Sequence, residues 1–144
     1  MLYAQPVAET PVDLVKRVPI FSTLDARELG EIAGSMRQRT FPAGSTVVEQ
    51  GEQGVGFFVI ESGTAKVSVD GKEVGTLRDG DHFGEIALIG DTPRTATIVA
   101  ETELNCYGMI VWDFKPLVEK NATIAWKILQ TLAQRLARAE QPAA

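Results

Sequence analysis

One stretch of the chain has residue types and spacing suited to holding an anion: Phe83-Gly-Glu-Ile-Ala-Leu-Ile-Gly-Asp-Thr-Pro-Arg-Thr-Ala-Thr97. It contains about one helical turn of residues, Glu85 to Ile89, opening directly after Gly84. The first N–H groups of a helix have no intrahelical partner, and glycine lets an anion approach the backbone closely. Arg94 can add a bidentate, charge-assisted contact to a phosphate. Glu85 is the odd member, because a carboxylate beside an anion site needs a reason of its own. It can accept a hydrogen bond from a sugar hydroxyl, as the acidic residue of dinucleotide sites does. Together these residues suggest a phosphate and a ribose held side by side. The plainer reading is that Arg94 and Glu85 form an ion pair and hold nothing.

Other reactive residue types are scarce. His82 is the only histidine. A metal site or a histidine-dependent triad needs further partners, so His82 reads as a loop residue, and no catalytic residue or metal ligand is assigned. A metal enzyme of the cupin type would need two or three histidines with a carboxylate, which this chain lacks. Cys106 sits among Leu104 and Met109 in an apolar strand pattern and is expected to be buried rather than reactive. A single cysteine excludes an internal disulfide and fits a reducing compartment.

No apolar run approaches the ~18 residues that would span a bilayer. The opening Met1-Leu-Tyr-Ala-Gln-Pro6 has neither the basic nor the apolar region of a signal peptide. A cytoplasmic protein without a membrane partner is therefore expected. The net charge is −5, from 14 basic and 19 acidic residues. Duplex binders normally show a basic face, and only the last helix is locally basic (Lys127, Arg135, Arg138), so no nucleic-acid partner is expected.

The elements that must position the stretch follow from periodicity. With 144 residues, 44% of them hydrophobic and 23% charged, the chain is expected to form one domain, residues 1–144. Residues 10–36 read as helical. Thr10-Pro11 offers a cap and a first-turn proline, Pro19 ends that helix, and Asp25 stands three before Glu28 in a capping-box arrangement. Leu24, Leu29, Ile32, Ala33 and Met36 then recur at helical spacing, leaving Arg27, Glu28 and Glu31 for solvent.

Residues 37–111 are strand-like. Runs at 46–50, 56–61, 64–69, 73–77, 95–100 and 103–110 are punctuated by glycine, and Asp70-Gly71 signals a two-residue hairpin. Residues 112–140 return to helix: Trp112 to Glu119, then a longer helix capped by Asn121 with Ile124, Ile128, Leu129, Leu132 and Leu136 on one face. Trp126 is read as ordinary packing rather than a lid, and Gln141 to Ala144 as a frayed tail. The fold class is mostly β with flanking helices, a jelly-roll-like barrel of about eight strands.

The chain resembles the cyclic nucleotide-binding domain family, shared by bacterial catabolite activators, regulatory subunits of cyclic-AMP-dependent kinase and cyclic-nucleotide-gated channels. The likeness begins at Val18-Pro-Ile-Phe…Leu24…Glu28-Leu29 and runs through Gly63-Thr-Ala-Lys-Val67 and Gly80-Asp81. It culminates in the phosphate-binding cassette, Phe83-Gly-Glu-Ile-Ala-Leu…Pro93-Arg-Thr-Ala-Thr97, whose step from Glu85 to Arg94 looks like the kinase-subunit form.

The resemblance implies a cyclic nucleotide ligand, cyclic AMP before cyclic GMP, and no cofactor. It puts Phe83, Gly84, Ile86 and Ala87 beside the phosphate and sugar, Glu85 on the ribose 2′-hydroxyl and Arg94 on a phosphate oxygen. Thr95 and Ala96 would add donors, and Thr95 permits cyclic GMP without demanding it. Val67 and Val74 would line the base pocket, and Arg135 would approach from the last helix. Ala139 stands where the catabolite activators carry a polar, adenine-reading residue, a departure from their pattern.

The expected role is that of a sensor that does no chemistry and signals through its last helix. The chain stops where those activators begin a helix-turn-helix, so its output is expected to be a partner protein, with a homodimer through the last helix as one form. Two alternatives stay open: a ligand-free interaction module of the same fold, and the ligand-binding part of a transcription regulator.

Overall fold

Thr10 and Asp25 start the N-terminal helices as their spacing predicts. The computed structural model describes residues 10–54, 56–90 and 92–140, so the expected tail and the opening segment lie outside the described residues. The Thr10 hydroxyl accepts the Asp13 N–H and the Asp13 carboxylate accepts the Thr10 N–H, closing a capping box on α1 (Pro11–Lys16). Asp25 and Glu28 form a second box, 2.9 Å in each direction, on α2 (Ala26–Gly34). A single 3-10 turn, Pro19–Phe21, separates the two helices. Glu28 departs from the solvent position expected of it. It is 4% exposed and its carboxylate also takes an ion pair from Lys127, because the last helix packs against the 3-10 turn that precedes α2.

Among the described residues, eight strands follow: β1 (Arg37–Phe41), β2 (Thr46–Val48), β3 (Gly56–Ser62), β4 (Ala65–Val69), β5 (Lys72–Leu77), β6 (His82–Phe83), β7 (Thr97–Ala100) and β8 (Leu104–Ile110). They form two antiparallel four-stranded sheets in the orders β1-β8-β3-β6 and β2-β7-β4-β5. This is the jelly-roll arrangement expected from the sequence, although the facing sheets do not close into one hydrogen-bonded cylinder. Asp70 and Gly71 have φ of 52° and 79°, the left-handed pair a tight hairpin needs, and Val69 pairs Lys72 across them.

Alternation along the central strands divides the interior. Phe57 and Val59 of β3 point to one side with Met109 of β8, while Ile60 points to the other with Leu104 and Cys106. The first set joins Leu14, Val15, Ile20, Phe21 and Ile32 of the N-terminal elements in one cluster. The second fills the space between the sheets with Ala65, Phe83, Ile98 and Ala100.

The chain ends in α3 (Val111–Lys120) and α4 (Ala122–Ala139), with Pro116 inside α3. Phe114, Ile124 and Ile128 complete the first cluster. Asn121 does not cap α4 through its side chain. Its Nδ2 instead donates to the Leu117 carbonyl at 2.7 Å, closing α3. Trp126 is not packing either: it is 62% exposed, on the face of α4 opposite Ile124 and Ile128.

Candidate functional site

The segment after β6 is shaped by one glycine. Gly84 adopts φ +87°, and a Cβ there would strike Arg94 Nη1 and lie 2.6 Å from the Gly56 carbonyl. A 3-10 turn, Glu85–Leu88, begins at once, with Ala87 N–H bonded to the Gly84 carbonyl at 3.0 Å. The turn is pinned at both ends. Phe83, 8% exposed, stacks on Phe58 in the inter-sheet cluster with centroids 5.3 Å apart, and Leu88, 3% exposed, enters the helical cluster.

Arg94 is fastened to the loop before β3. Its N–H donates to the Glu52 carbonyl at 2.8 Å and its carbonyl accepts the Gly51 N–H at 2.9 Å. Its Nη2 donates to the Gly56 carbonyl at 2.6 Å. Burial pushes the guanidinium below its ordinary pKa, yet arginine stays charged in proteins. A Cβ on Gly54 would lie 2.9 Å from Ala87 Cβ and 3.0 Å from Arg94 Nε, so the loop, the 3-10 turn and the arginine are packed without slack.

Glu85 has a different partner. His82 Nδ1 lies 3.3 Å from its Oε2. The His82 bond, the Glu85 backbone N–H and the Arg135 charge hold this carboxyl below the usual carboxylate range, against its burial. Arg94 and Glu85 thus do not form the ion pair of the plainer reading. Each is held by its own neighbour and both face the same space.

That space is a cleft of about 390 Å³, within the size range of small-ligand sites. Phe83, Gly84, Glu85, Ile86, Ala87, Arg94, Thr95, Ala96 and Val67 line it, as does a set that sequence reasoning missed: Val48, Leu77, Thr92, Pro93 and Ile98. The register explains part of that set, since Ile98 of β7 pairs Val67 on one side and Val48 on the other.

Two expected residues stand apart from the walls. Val74 is 61% exposed. β4 pairs Val67 with Gly75 and Ser68 with Glu73, so Val74 is the extra residue of a bulge and turns away from the cleft. Arg135 also lies outside the lining, but its charge acts on Glu85 and its buried Nη1 has no hydrogen-bond partner. Cys106 is 2% exposed, as expected, and burial pushes its thiol up to about 12. Among the described residues, no group of three or more His, Cys, Asp or Glu could hold a metal ion, and no helix is long and apolar enough to cross a membrane.

A jelly roll with a charged cassette packed between its two cores defines a class of small-ligand binding domain. The model of the cyclic nucleotide-binding domain matches residues 38–121, and the chain belongs to that family. It is 41% identical over 92 residues to a cAMP-dependent protein kinase regulatory subunit from Yarrowia lipolytica, covering 62% of this chain and 24% of the relative. Against the regulatory subunit of Schizosaccharomyces pombe the identity is 46% over 92 residues, with 63% and 22% covered. The type II regulatory subunit of Drosophila melanogaster is 33% identical over 121 residues, with 84% and 32% covered. The chain therefore spans between 22% and 32% of the length of these relatives.

Among solved structures, the N-terminal domain of a transcriptional regulator from Streptomyces coelicolor A3(2) superposes with a TM-score of 0.82 at 28% identity. That match covers 92% of this chain and 98% of the regulator domain. Catabolite activator protein of Thermus thermophilus shares the fold, with a TM-score of 0.67 at 24% identity over 85% of this chain and 60% of its own.

Proposed function

We propose that residues 1–144 act as one regulatory domain that binds cyclic AMP in this cleft, leaves it chemically unchanged, and passes the binding event to a partner protein in the cytoplasm. The observation that carries this reading is the separation of Arg94 from Glu85: a guanidinium and a carboxylate face one cleft, each held by its own neighbour. With Nη2 bonded to Gly56, Arg94 keeps Nη1 and Nε for the phosphate, and Gly84 lets that edge come close. Glu85 accepts the ribose hydroxyl. Val48, Val67, Leu77 and Ile98 supply apolar surface for the base. The relatives are named as regulatory subunits of a cAMP-dependent kinase, which supports cyclic AMP as the ligand of this cleft.

Ligand binding would then bias the cassette, and through Leu88 the packing of α3 and α4, by population shift. The test is calorimetric titration of nucleotide-free protein with cyclic AMP, cyclic GMP and linear AMP, with the ligand recovered afterwards. Saturable binding of a cyclic nucleotide recovered intact, weakened about 100-fold by Arg94→Ala, supports the reading. No binding at millimolar ligand leaves the ligand-free interaction module in its place.

A second copy of the chain is the partner that α4 supports best. Ala122, Trp126, Leu129, Ala133 and Leu136 are all exposed and follow alternating steps of four and three, the seam spacing of paired helices. Trp126, Leu129 and Leu136 are 62%, 55% and 57% exposed. Sedimentation of the wild type as a dimer, and of Leu129→Glu/Leu136→Glu as a monomer, is the expected result. A monomeric wild type at tens of micromolar (about the range where a modest interface associates) counts against it.

A further inference from the structure

The sequence alone marks His82 as a loop residue, but the fold places it in a strand. It is half of the two-residue strand β6 and pairs Val59 of β3. Its neighbour Phe83 turns into the inter-sheet cluster, so strand alternation sends the His82 ring to the opposite face, where it lies tilted against Phe57 with centroids 6.4 Å apart. The left-handed turn at Gly84 then brings the chain back, and the residue three positions on, Glu85, meets the ring.

Both side chains are largely withdrawn from water, 24% exposed for His82 and 13% for Glu85. A carboxylate only accepts, so Nδ1 carries the proton in this contact. The ring meets Oε2, and each carboxylate oxygen has two lone pairs, so Oε1 keeps accepting capacity on a group that lines the cleft. Besides the Glu85 backbone N–H, Arg135 acts on this carboxylate by charge, and its buried Nη1 makes no hydrogen bond.

We propose that His82 is a positioning residue: its Nδ1–H fixes one oxygen of Glu85 so that the other faces the cleft as acceptor for a sugar 2′-hydroxyl, making His82 a determinant of the preference for ribose over 2′-deoxyribose cyclic nucleotides. The inference rests on the reading of the cleft as a cyclic nucleotide site. Without the ring, the Glu85 side chain regains rotamer freedom and the hydroxyl must order it anew. A ligand lacking the 2′-hydroxyl never uses that acceptor and is indifferent to the loss.

Titrations of cyclic AMP and its 2′-deoxy analogue against the wild type, His82→Phe and His82→Asn test this. Phenylalanine keeps the ring against Phe57 and removes the donor, whereas the asparagine amide nitrogen can take the place of Nδ1. His82→Phe is expected to weaken cyclic AMP about tenfold while the deoxy analogue changes by less than about twofold, and His82→Asn to recover most of the loss. Equal weakening of both ligands, or an intact ribose preference in His82→Phe, overturns the role of His82 alone. A wild type that binds neither ligand overturns the reading of the cleft, and the role of His82 with it.

Discussion

The two hydrophobic clusters differ in what holds their elements together. Between the sheets, Ile60, Ala65, Ile98, Ala100 and Leu104 belong to strands tied into antiparallel ladders, so side-chain packing and backbone bonds enforce the same register. On the other side of β3, the helices are laid against Phe57, Val59 and Met109 by packing, with the Glu28–Lys127 pair joining α2 to α4. The cassette is anchored in both, Phe83 in the first and Leu88 in the second. A ladder cannot slide without breaking a row of hydrogen bonds, whereas packed helices have closely spaced alternative arrangements. The difference teaches which end of the cassette has freedom to shift: the Phe83 end is a fixed point and the Leu88 end adjoins the part able to repack.

Truncating one buried isoleucine in each cluster puts the largest strain on this contrast. Ile60→Ala and Ile124→Ala, at 0% and 1% exposure, should each cost about 3 kcal/mol in denaturant unfolding. Their hydrogen-exchange patterns should differ. Ile60→Ala is expected to lower protection throughout, and Ile124→Ala to lower it first in α3 and α4 while the strands stay protected. A uniform loss in both variants would mean that the two clusters open as one unit and that the division above is wrong.

Changes of pH sharpen the same comparison with smaller effects. Cys106, in the inter-sheet cluster, has its thiol pushed from 9.0 to about 12 by burial. The folded state therefore keeps a proton that the unfolded state releases, and stability falls as pH rises from 9.0 toward about 12. The expected loss is about 1 kcal/mol one unit into that window, absent in Cys106→Ala, read from unfolding midpoints at pH 8 and pH 10. Glu85 behaves in the opposite sense. Held below its ordinary 4.5 chiefly by His82, it contributes stability at neutral pH that is lost as pH falls through the lowered value, and Glu85→Gln should remove that acid-side dependence. An acid limb unchanged by Glu85→Gln would argue that the His82 contact does not persist in solution.

Much of this protein was legible before any coordinates because the relevant interactions are local. Thr10 and Asp25 cap residues three positions away, and Asp70-Gly71 closes a two-residue turn. The cassette from Phe83 to Thr97 is contiguous, so Gly84, Glu85 and Arg94 could be recognised together. Two strands were not legible. β1, Arg37–Phe41, is an edge strand whose exposed Arg-Gln-Arg-Thr run shows no apolar alternation, and β6 is only two residues long.

What the amino-acid order determined alone was therefore the turns, the caps, the strand-rich middle and the chemical content of the cassette, each written within a few neighbouring residues. Tertiary structure decided which side chains meet. A bulge turned Val74 outward, and cross-strand register brought Val48 and Ile98 to Val67. The alternation of a two-residue strand set His82 on Glu85, and packing across 99 residues buried Glu28 against Lys127. The physical reason is that caps and turns are closed by backbone geometry over three or four residues. Register and helix docking are settled only when distant surfaces compete to be buried, and no short window of sequence contains both surfaces.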